Sequence, residues 1–180
     1  MNIIQILVKS LVLVFFIFFS SNVFAKIAAL IVDYDSGEVL FEVNADTRNY
    51  PASLTKMMTL YIAFDYLNKD KLEWETLMKV SKIANSRSPS KLYLEVGTSI
   101  SVEDAIMALV VKSANDVATV LSEHISGTER EFAKLMTKYA RNLGMDNTTF
   151  KNASGLHHSG QLTTARDMAT LSRAMISNFP

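Results

Sequence analysis

Apolar side chains crowd into two short runs near the start of the folded region, Ile27 to Asp33 and Glu38 to Asn44, parted by Tyr34-Asp35-Ser36-Gly37. Short β-branched runs around a glycine-bearing turn predict a β-hairpin. Two strands alone make a marginal sheet, so the hairpin needs further strands or helices to pack on. From Pro51-Ala52-Ser53 the rhythm becomes helical as far as Leu67, with Met57, Leu60, Tyr61, Phe64 and Leu67 on one face. Residues 68–80 are mixed and predict a short helix or turn around Trp74. Ser81 to Gly97 is polar, with Ser86-Arg87-Ser88-Pro89-Ser90 read as an exposed loop.

Three further helices are announced by their caps. Ser101 with Asp104 opens a helix whose apolar stripe is Ile106, Leu109 and Val110. Another stretch follows from Val117. Thr128 with Glu131 has the spelling of a full capping box, ahead of Phe132, Leu135, Met136, Tyr139 and Leu143, and Gly144 stops that helix. Thr164 with Asp167 repeats the arrangement before Met168, Leu171 and Met175. The pattern predicts a helical cluster attached to a hairpin.

The first 25 residues have a different character. Lys9 precedes the uninterrupted apolar run Leu11 to Phe19, and Val23 and Ala25 are the small residues expected before a cleavage at Lys26. Nine apolar residues fall short of the roughly twenty that span a bilayer. The expectation is a signal peptide over 1–25, export to the periplasm or the wall side of the membrane, and one domain over 26–180.

Composition narrows the chemistry. Eighteen basic residues balance eighteen acidic ones, which disfavours nucleic-acid binding. No cysteine is present, so disulfides and thiolate zinc sites are excluded. His124 stands apart from His157-His158, so no helical histidine pair offers a metal site, and neither metal nor cofactor is expected.

Ser53-Leu54-Thr55-Lys56 is the first chemical candidate. Three residues apart on a helix, a hydroxyl and an amine share a face. Serine becomes a nucleophile when a base takes its proton, and lysine serves as that base once burial or positive potential lowers its pKa. A helix N-terminus supplies such a potential and free N–H groups for an oxyanion. Ser88-Pro89-Ser90-Lys91 has the same spelling in a polar loop without an apolar face and is read as a solvated decoy. Ser113-Ala114-Asn115 is the second candidate, at the junction of two helices. Its hydroxyl and amide could relay a proton and hold a carbonyl, or Asn115 or Asp116 could simply cap the next helix.

Together, Pro51-Ala52-Ser53-Leu54-Thr55-Lys56-Met57 and Ser113-Ala114-Asn115-Asp116 resemble the active-serine penicillin-recognising enzymes, most closely the D-alanyl-D-alanine carboxypeptidases, the low-molecular-mass penicillin-binding proteins. The likeness continues through Gly127, Leu143-Gly144-Met145, Asn147 to Phe150, Asn152, Gly155-Leu156 and Thr163 to Met168. It implies an α/β (α+β) fold of the β-lactamase/transpeptidase type, with Ser53 as acylated nucleophile and Lys56 as its base. Ser113 would shuttle protons and Asn115 would orient the substrate. The implied ligands are peptidoglycan stem peptides ending in D-Ala-D-Ala, cleaved through an acyl-enzyme, and β-lactam antibiotics as acylating inhibitors.

The family's third motif, Lys-Thr-Gly or Lys-Ser-Gly on a strand, has no counterpart in the chain. The nearest spelling, His158-Ser159-Gly160, belongs to a stretch that reads as a loop. The expectation is therefore a partial domain, a hairpin plus helical cluster without the C-terminal strands, whose hairpin keeps an open edge and an uncovered apolar face. Three readings stay open: a carboxypeptidase, an inactive penicillin- or wall-binding remnant, and one half of a split enzyme completed by a second chain. A serine β-lactamase is a distant alternative, because no Glu-x-x-Leu-Asn pattern follows the second motif.

Overall fold

The computed structural model describes residues 27–180 of the chain; the expected signal peptide lies outside the described residues. The hairpin is present as β1 (Ala29–Val32) and β2 (Val39–Val43), antiparallel, with Ala29 opposite Val43 and Ile31 opposite Phe41. Its turn is wound around Asp33, whose carboxylate accepts the Ser36 N–H at 2.8 Å and the Ser36 hydroxyl at 2.7 Å. Gly37 sits at φ +76°, a left-handed conformation that suits glycine.

A 3₁₀ turn, Ala52–Leu54, leads into α1 (Thr55–Asn68). Then follow β3 (Leu77–Lys79), α2 (Lys82–Asn85), β4 (Ser99–Ser101), α3 (Val102–Lys112), α4 (Asn115–Ser126), α5 (Glu129–Asn142) and α6 (Ala165–Asn178). The strands β3 and β4 pair antiparallel, Met78 opposite Ile100, in a second two-stranded sheet. β3 falls where the sequence pattern predicts a short helix or turn, and β4 lies between the polar stretch and the Ser101 cap. Strands of three residues are too short for a two-residue alternation to be distinguished from irregular chain.

The core lies among the helices. Phe132, Phe150, Met58, Ile62, Leu121, Met136, Met145 and Leu171 are fully buried. The expected face of α1 needs correction: Met58, Tyr61, Ile62 and Ala63 are buried, whereas Met57, Leu60, Phe64 and Leu67 are only partly covered. α1 packs against α3, α4, α5 and α6 together, so it is apolar around most of its circumference and no single stripe defines it.

The caps hold with one adjustment. Asp104, Glu131 and Asp167 donate their N–H groups to the Ser101, Thr128 and Thr164 hydroxyls at 3.1, 3.2 and 3.0 Å. At α5 the box is half made, because the Glu131 carboxylate pairs with Lys134 at 2.7 Å instead of reaching back. Asp167 turns inward, accepting the Thr148 hydroxyl at 2.6 Å and the Asn147 N–H at 3.0 Å.

The hairpin is fastened to α6 by polar contacts at its margin: Arg166 meets Glu42 at 2.6 Å and Asp46 at 2.8 Å, and Arg173 donates to the Tyr34 carbonyl at 3.0 Å. Every residue of β2 is exposed. A groove of about 970 Å³ runs between β1, the 3₁₀ turn and α6, lined by Leu30, Leu54, Met57, Met168 and Ile176 among others. The two apolar regions should differ sharply under mutation. Phe132→Ala is expected to destabilise the fold by about 3–5 kcal/mol, and Phe41→Thr by less than about 1 kcal/mol, both read from urea unfolding.

Candidate active site

Three segments converge on the start of α1. The first is the 3₁₀ turn carrying Ser53, which is exposed, one helical turn ahead of Lys56, which is buried. The second is the joint between α3 and α4, with Ser113 and Asn115. The third is the loop over residues 151–161, pinned at both ends by backbone pairs. Thr149 and Leu162 exchange bonds at 2.8 and 3.1 Å, and Asn49 and Thr163 at 2.8 and 2.9 Å.

Lys56 is the centre. Its ammonium donates to Asn115 Oδ1 at 2.7 Å and to the Ser154 carbonyl at 2.6 Å. Both acceptors are neutral, and burial pushes its pKa down from 10.5 to about 8. At pH 7 about one molecule in ten then carries a free amine, against fewer than about one in a thousand for an exposed lysine. Among the described residues no hydrogen bond joins the Ser53 and Lys56 side chains, and Ser53 is exposed.

Asn115 is buried, and both ends of its amide are engaged. Oδ1 faces Lys56, while Nδ2 donates to the Ser88 carbonyl at 2.9 Å. An amide has two N–H donors, so one remains without a partner among the described residues. Its own backbone N–H donates to the Ser90 carbonyl at 2.7 Å. The capping alternative does not hold: Ala114 stands at the N-cap of α4, without a side-chain cap. Asp116, fully buried, accepts the N–H groups of Leu92 at 3.0 Å and Leu94 at 3.3 Å and so fixes the 88–94 loop against α4. The helix also begins at Asn115 and not at the expected Val117, which places the amide in its first turn.

Ser113 ends α3 at φ +55°, ψ +42°. The following N–H, of Ala114, returns to the Ala108 carbonyl at 3.3 Å, a helix ending that normally takes glycine. A serine there carries left-handed strain of about 1–2 kcal/mol, and strain of this kind gathers at functional positions.

The second Ser-x-x-Lys is placed quite differently. Ser88 is exposed, Lys91 donates to the Asn85 carbonyl at 2.9 Å, and among the described residues no hydrogen bond joins their side chains. Its loop is nevertheless no bystander, since Ser88 and Ser90 brace Asn115. His158-Ser159-Gly160 forms a turn, with the Gly160 N–H on His158 Nδ1 at 3.0 Å. It is not on a strand.

Several residues that shape the site carry no chemical signature in the sequence. Gly155 packs so closely on the 3₁₀ turn that a Cβ would lie 1.9 Å from the Ala52 carbonyl oxygen. Asn152 folds the loop by accepting the Gly155 N–H at 2.8 Å and donating to the Leu156 carbonyl at 2.7 Å. Buried Gln161 accepts the N–H groups of Lys151 and Asn152 at 2.9 and 3.0 Å. Thr59 donates to the Ala153 carbonyl at 2.7 Å. Helical spacing on α1 could have flagged Thr55 and Thr59 as a polar strip beside Lys56; Asn152 and Gly155 entered only through the family likeness, with no role attached.

Two substitutions test this geometry. Gly155→Ala is expected to destabilise by more than about 4 kcal/mol or to displace the loop, seen as a collapsed urea midpoint. Ser113→Gly relieves the left-handed strain and is expected to raise stability by about 0.5–1 kcal/mol, or roughly 1–4 °C in thermal midpoint.

Comparison with known proteins bears on the family and the fold. The family model described as D-alanyl-D-alanine carboxypeptidase, Peptidase S11, matches residues 20–180. D-alanyl-D-alanine carboxypeptidase DacC of Escherichia coli K12 is 40% identical over 159 residues, 85% of this chain and 40% of its own length. The chain spans about two fifths of the length of the curated relatives it matches. The crystal structure of DacD from Francisella tularensis superposes with a TM-score of 0.83 at 41% identity, over 87% of this chain and 39% of that one. Penicillin-binding protein D2 of Listeria monocytogenes, in its ampicillin-bound form, gives 0.77 at 33% identity, over 89% and 65%. The fold is thus part of the penicillin-binding, transpeptidase-like α+β architecture, and the chain belongs to the D-alanyl-D-alanine carboxypeptidase family.

Proposed function

We propose that this chain carries the acylating half of a serine D-Ala-D-Ala carboxypeptidase site, acting on peptidoglycan stem peptides. The observation that carries the reading is Lys56: a buried amine with lowered pKa, held by neutral acceptors one helical turn beyond an exposed serine. The Ser53 hydroxyl attacks the carbonyl carbon of the terminal peptide bond, and its proton passes to the Lys56 amine. The tetrahedral intermediate collapses with release of D-alanine, leaving Ser53 acylated, and water then frees the shortened peptide. A β-lactam follows the same first step, its ring amide opening without a departing fragment. In this reading Asn115 holds the substrate carbonyl through its remaining N–H, and Ser113, at the joint of α3 and α4, passes a proton toward the leaving amine. The apolar leader over Leu11 to Phe19 supports placing this work outside the cytoplasmic membrane, in the periplasm or at the wall.

The open hairpin favours a second reading of how the site is completed. β2 is exposed along its length, and unpaired edges recruit strands. Residues joining at the β1 edge, which lines the groove beside Leu54, from the same polypeptide or a second chain, would supply the wall facing Ser53. Without them the same site would bind penicillin or stem peptide with little turnover.

Labelling with a fluorescent penicillin tests the acylation step. The label is expected on the chain and absent from Ser53→Ala; equal labelling of the two overturns the assignment of Ser53. The pH dependence follows from the direction of the lysine shift. The free amine is the base, so acylation should rise roughly tenfold per pH unit below about 8 and level off above it. A rate that is flat from pH 6 to 9 would exclude Lys56 as that base. The linked stability has the same sign: between about 8 and 10.5 the unfolded chain binds the extra proton, so folding becomes more favourable as pH rises through that window.

A further inference from the structure

Glu129 opens α5, beside the Thr128 cap, where a solvated carboxylate would already favour the helix N-terminus. Its side chain is instead turned inward and 11% exposed. It pairs with Arg87 and accepts the Ala153 N–H at 3.0 Å and the Thr119 hydroxyl at 3.4 Å. Arg87 also donates through Nε to Thr119 Oγ1 at 2.9 Å. Each partner adjoins a group that holds the site. Arg87 precedes Ser88, whose carbonyl accepts Asn115 Nδ2 at 2.9 Å. Ala153 precedes Ser154, whose carbonyl accepts Lys56 at 2.6 Å. Thr119 lies one turn beyond Asn115 on α4 and bonds its carbonyl at 3.3 Å. The bonds close a ring running from Lys56 through Asn115, the 87–88 segment, Glu129 and the 153–154 segment back to Lys56.

We propose that Glu129 is a positioning residue for Lys56: by tying the 86–90 loop to the 152–155 loop it keeps Asn115 Oδ1 and the Ser154 carbonyl together on the ammonium. A buried ion pair contributes little net stability compared with apolar packing, but it fixes geometry, because either partner left alone is a buried charge. The other charged groups around Lys56 are otherwise engaged or exposed. Asp116 on α4 is taken up by the N–H groups of Leu92, Leu94 and Val117. Lys151, His157 and His158 of the third segment and Arg130 of α5 are exposed. Glu129 therefore acts through loop position and water exclusion, not as a direct counter-charge to the lysine. Loosening the ring would admit water beside Lys56 and return it toward an ordinary lysine.

This inference rests on the proposed role of Lys56, but its primary test does not need turnover. Lysine labelled with ¹³C in the side chain lets Lys56 be titrated by NMR, its signal assigned with a Lys56→Met variant. In Glu129→Ala the Lys56 titration is expected to move up by about one unit or more, toward that of a solvated lysine. Glu131→Ala, which removes an exposed carboxylate paired only with Lys134, should leave it unchanged. Arg87→Lys keeps the charge but cannot reach Glu129 and Thr119 together, and should give a smaller upward shift. It carries the test if Glu129→Ala does not fold. A folded variant of either kind whose Lys56 titrates as in the unaltered chain overturns the proposal. Penicillin acylation measured in parallel keeps the two ideas separate. No labelling of the unaltered chain, with the lysine shift intact, would remove the acylation reading and leave the positioning role standing.

Discussion

A primary amine buried among neutral groups constrains everything around it. Lys56 lies on the central helix, where an ammonium cannot be hydrated, and burial of a charge is tolerated only where each N–H finds an acceptor. Two of those acceptors come from distant parts of the chain, the Asn115 amide and the Ser154 carbonyl. The start of α4 and the 151–161 loop must therefore both reach the first turn of α1. Gly155, Asn152, Gln161 and Thr59 follow from that demand, since they are what allow a loop to lie directly on the 3₁₀ turn. The same constraint supplies the chemistry: a lysine with no adjacent carboxylate loses its proton more readily, which is what a serine beside it requires.

Local strain has been accepted where the site needs it. Ala52 at φ +47° and Ser113 at φ +55° occupy left-handed conformations that residues with a Cβ avoid; the first precedes Ser53 and the second is the other serine of interest. Such positions persist only when the surroundings over-determine them. Here the surroundings are stiff: fully packed helices on one side, and on the other a loop whose buried polar atoms are all hydrogen-bonded among the described residues. The capped starts of α3, α5 and α6 add rigidity by fixing where each helix begins.

The hairpin obeys a different balance. It meets α6 through ion pairs and a backbone contact at its margin, and its second strand faces solvent throughout. Exposed ion pairs contribute little stability, so the helical cluster carries the fold and the hairpin is held to it. The apolar groove between them is continuous with the turn that bears Ser53 through Leu54 and Met57. Whatever packs into that groove can therefore affect the reactive serine directly, through the turn itself.

The capped helices, the first hairpin and the Ser-x-x-Lys on a helix start were legible because each depends on neighbours within about four residues. The likeness carried by Ser53, Lys56, Ser113 and Asn115 was legible for the same reason: each motif is a local string. Short strands such as β3 and β4 were not, because three residues hold no period and their partner lies over twenty positions away. The buried faces of α1 escaped periodicity because a helix surrounded by others has no single apolar side. Nor could the sequence show that the loop following α2, Ser88 to Ser90, braces Asn115, or that Glu129 turns away from its cap toward Arg87 and Ala153. What the sequence determined by itself was which residues could do chemistry and where the capped helices α3, α5 and α6 start, since backbone geometry and capping are local. Only the tertiary structure decided which lysine is buried, which carbonyls receive it and which glutamate holds them there, because desolvation depends on what the rest of the chain packs around a group.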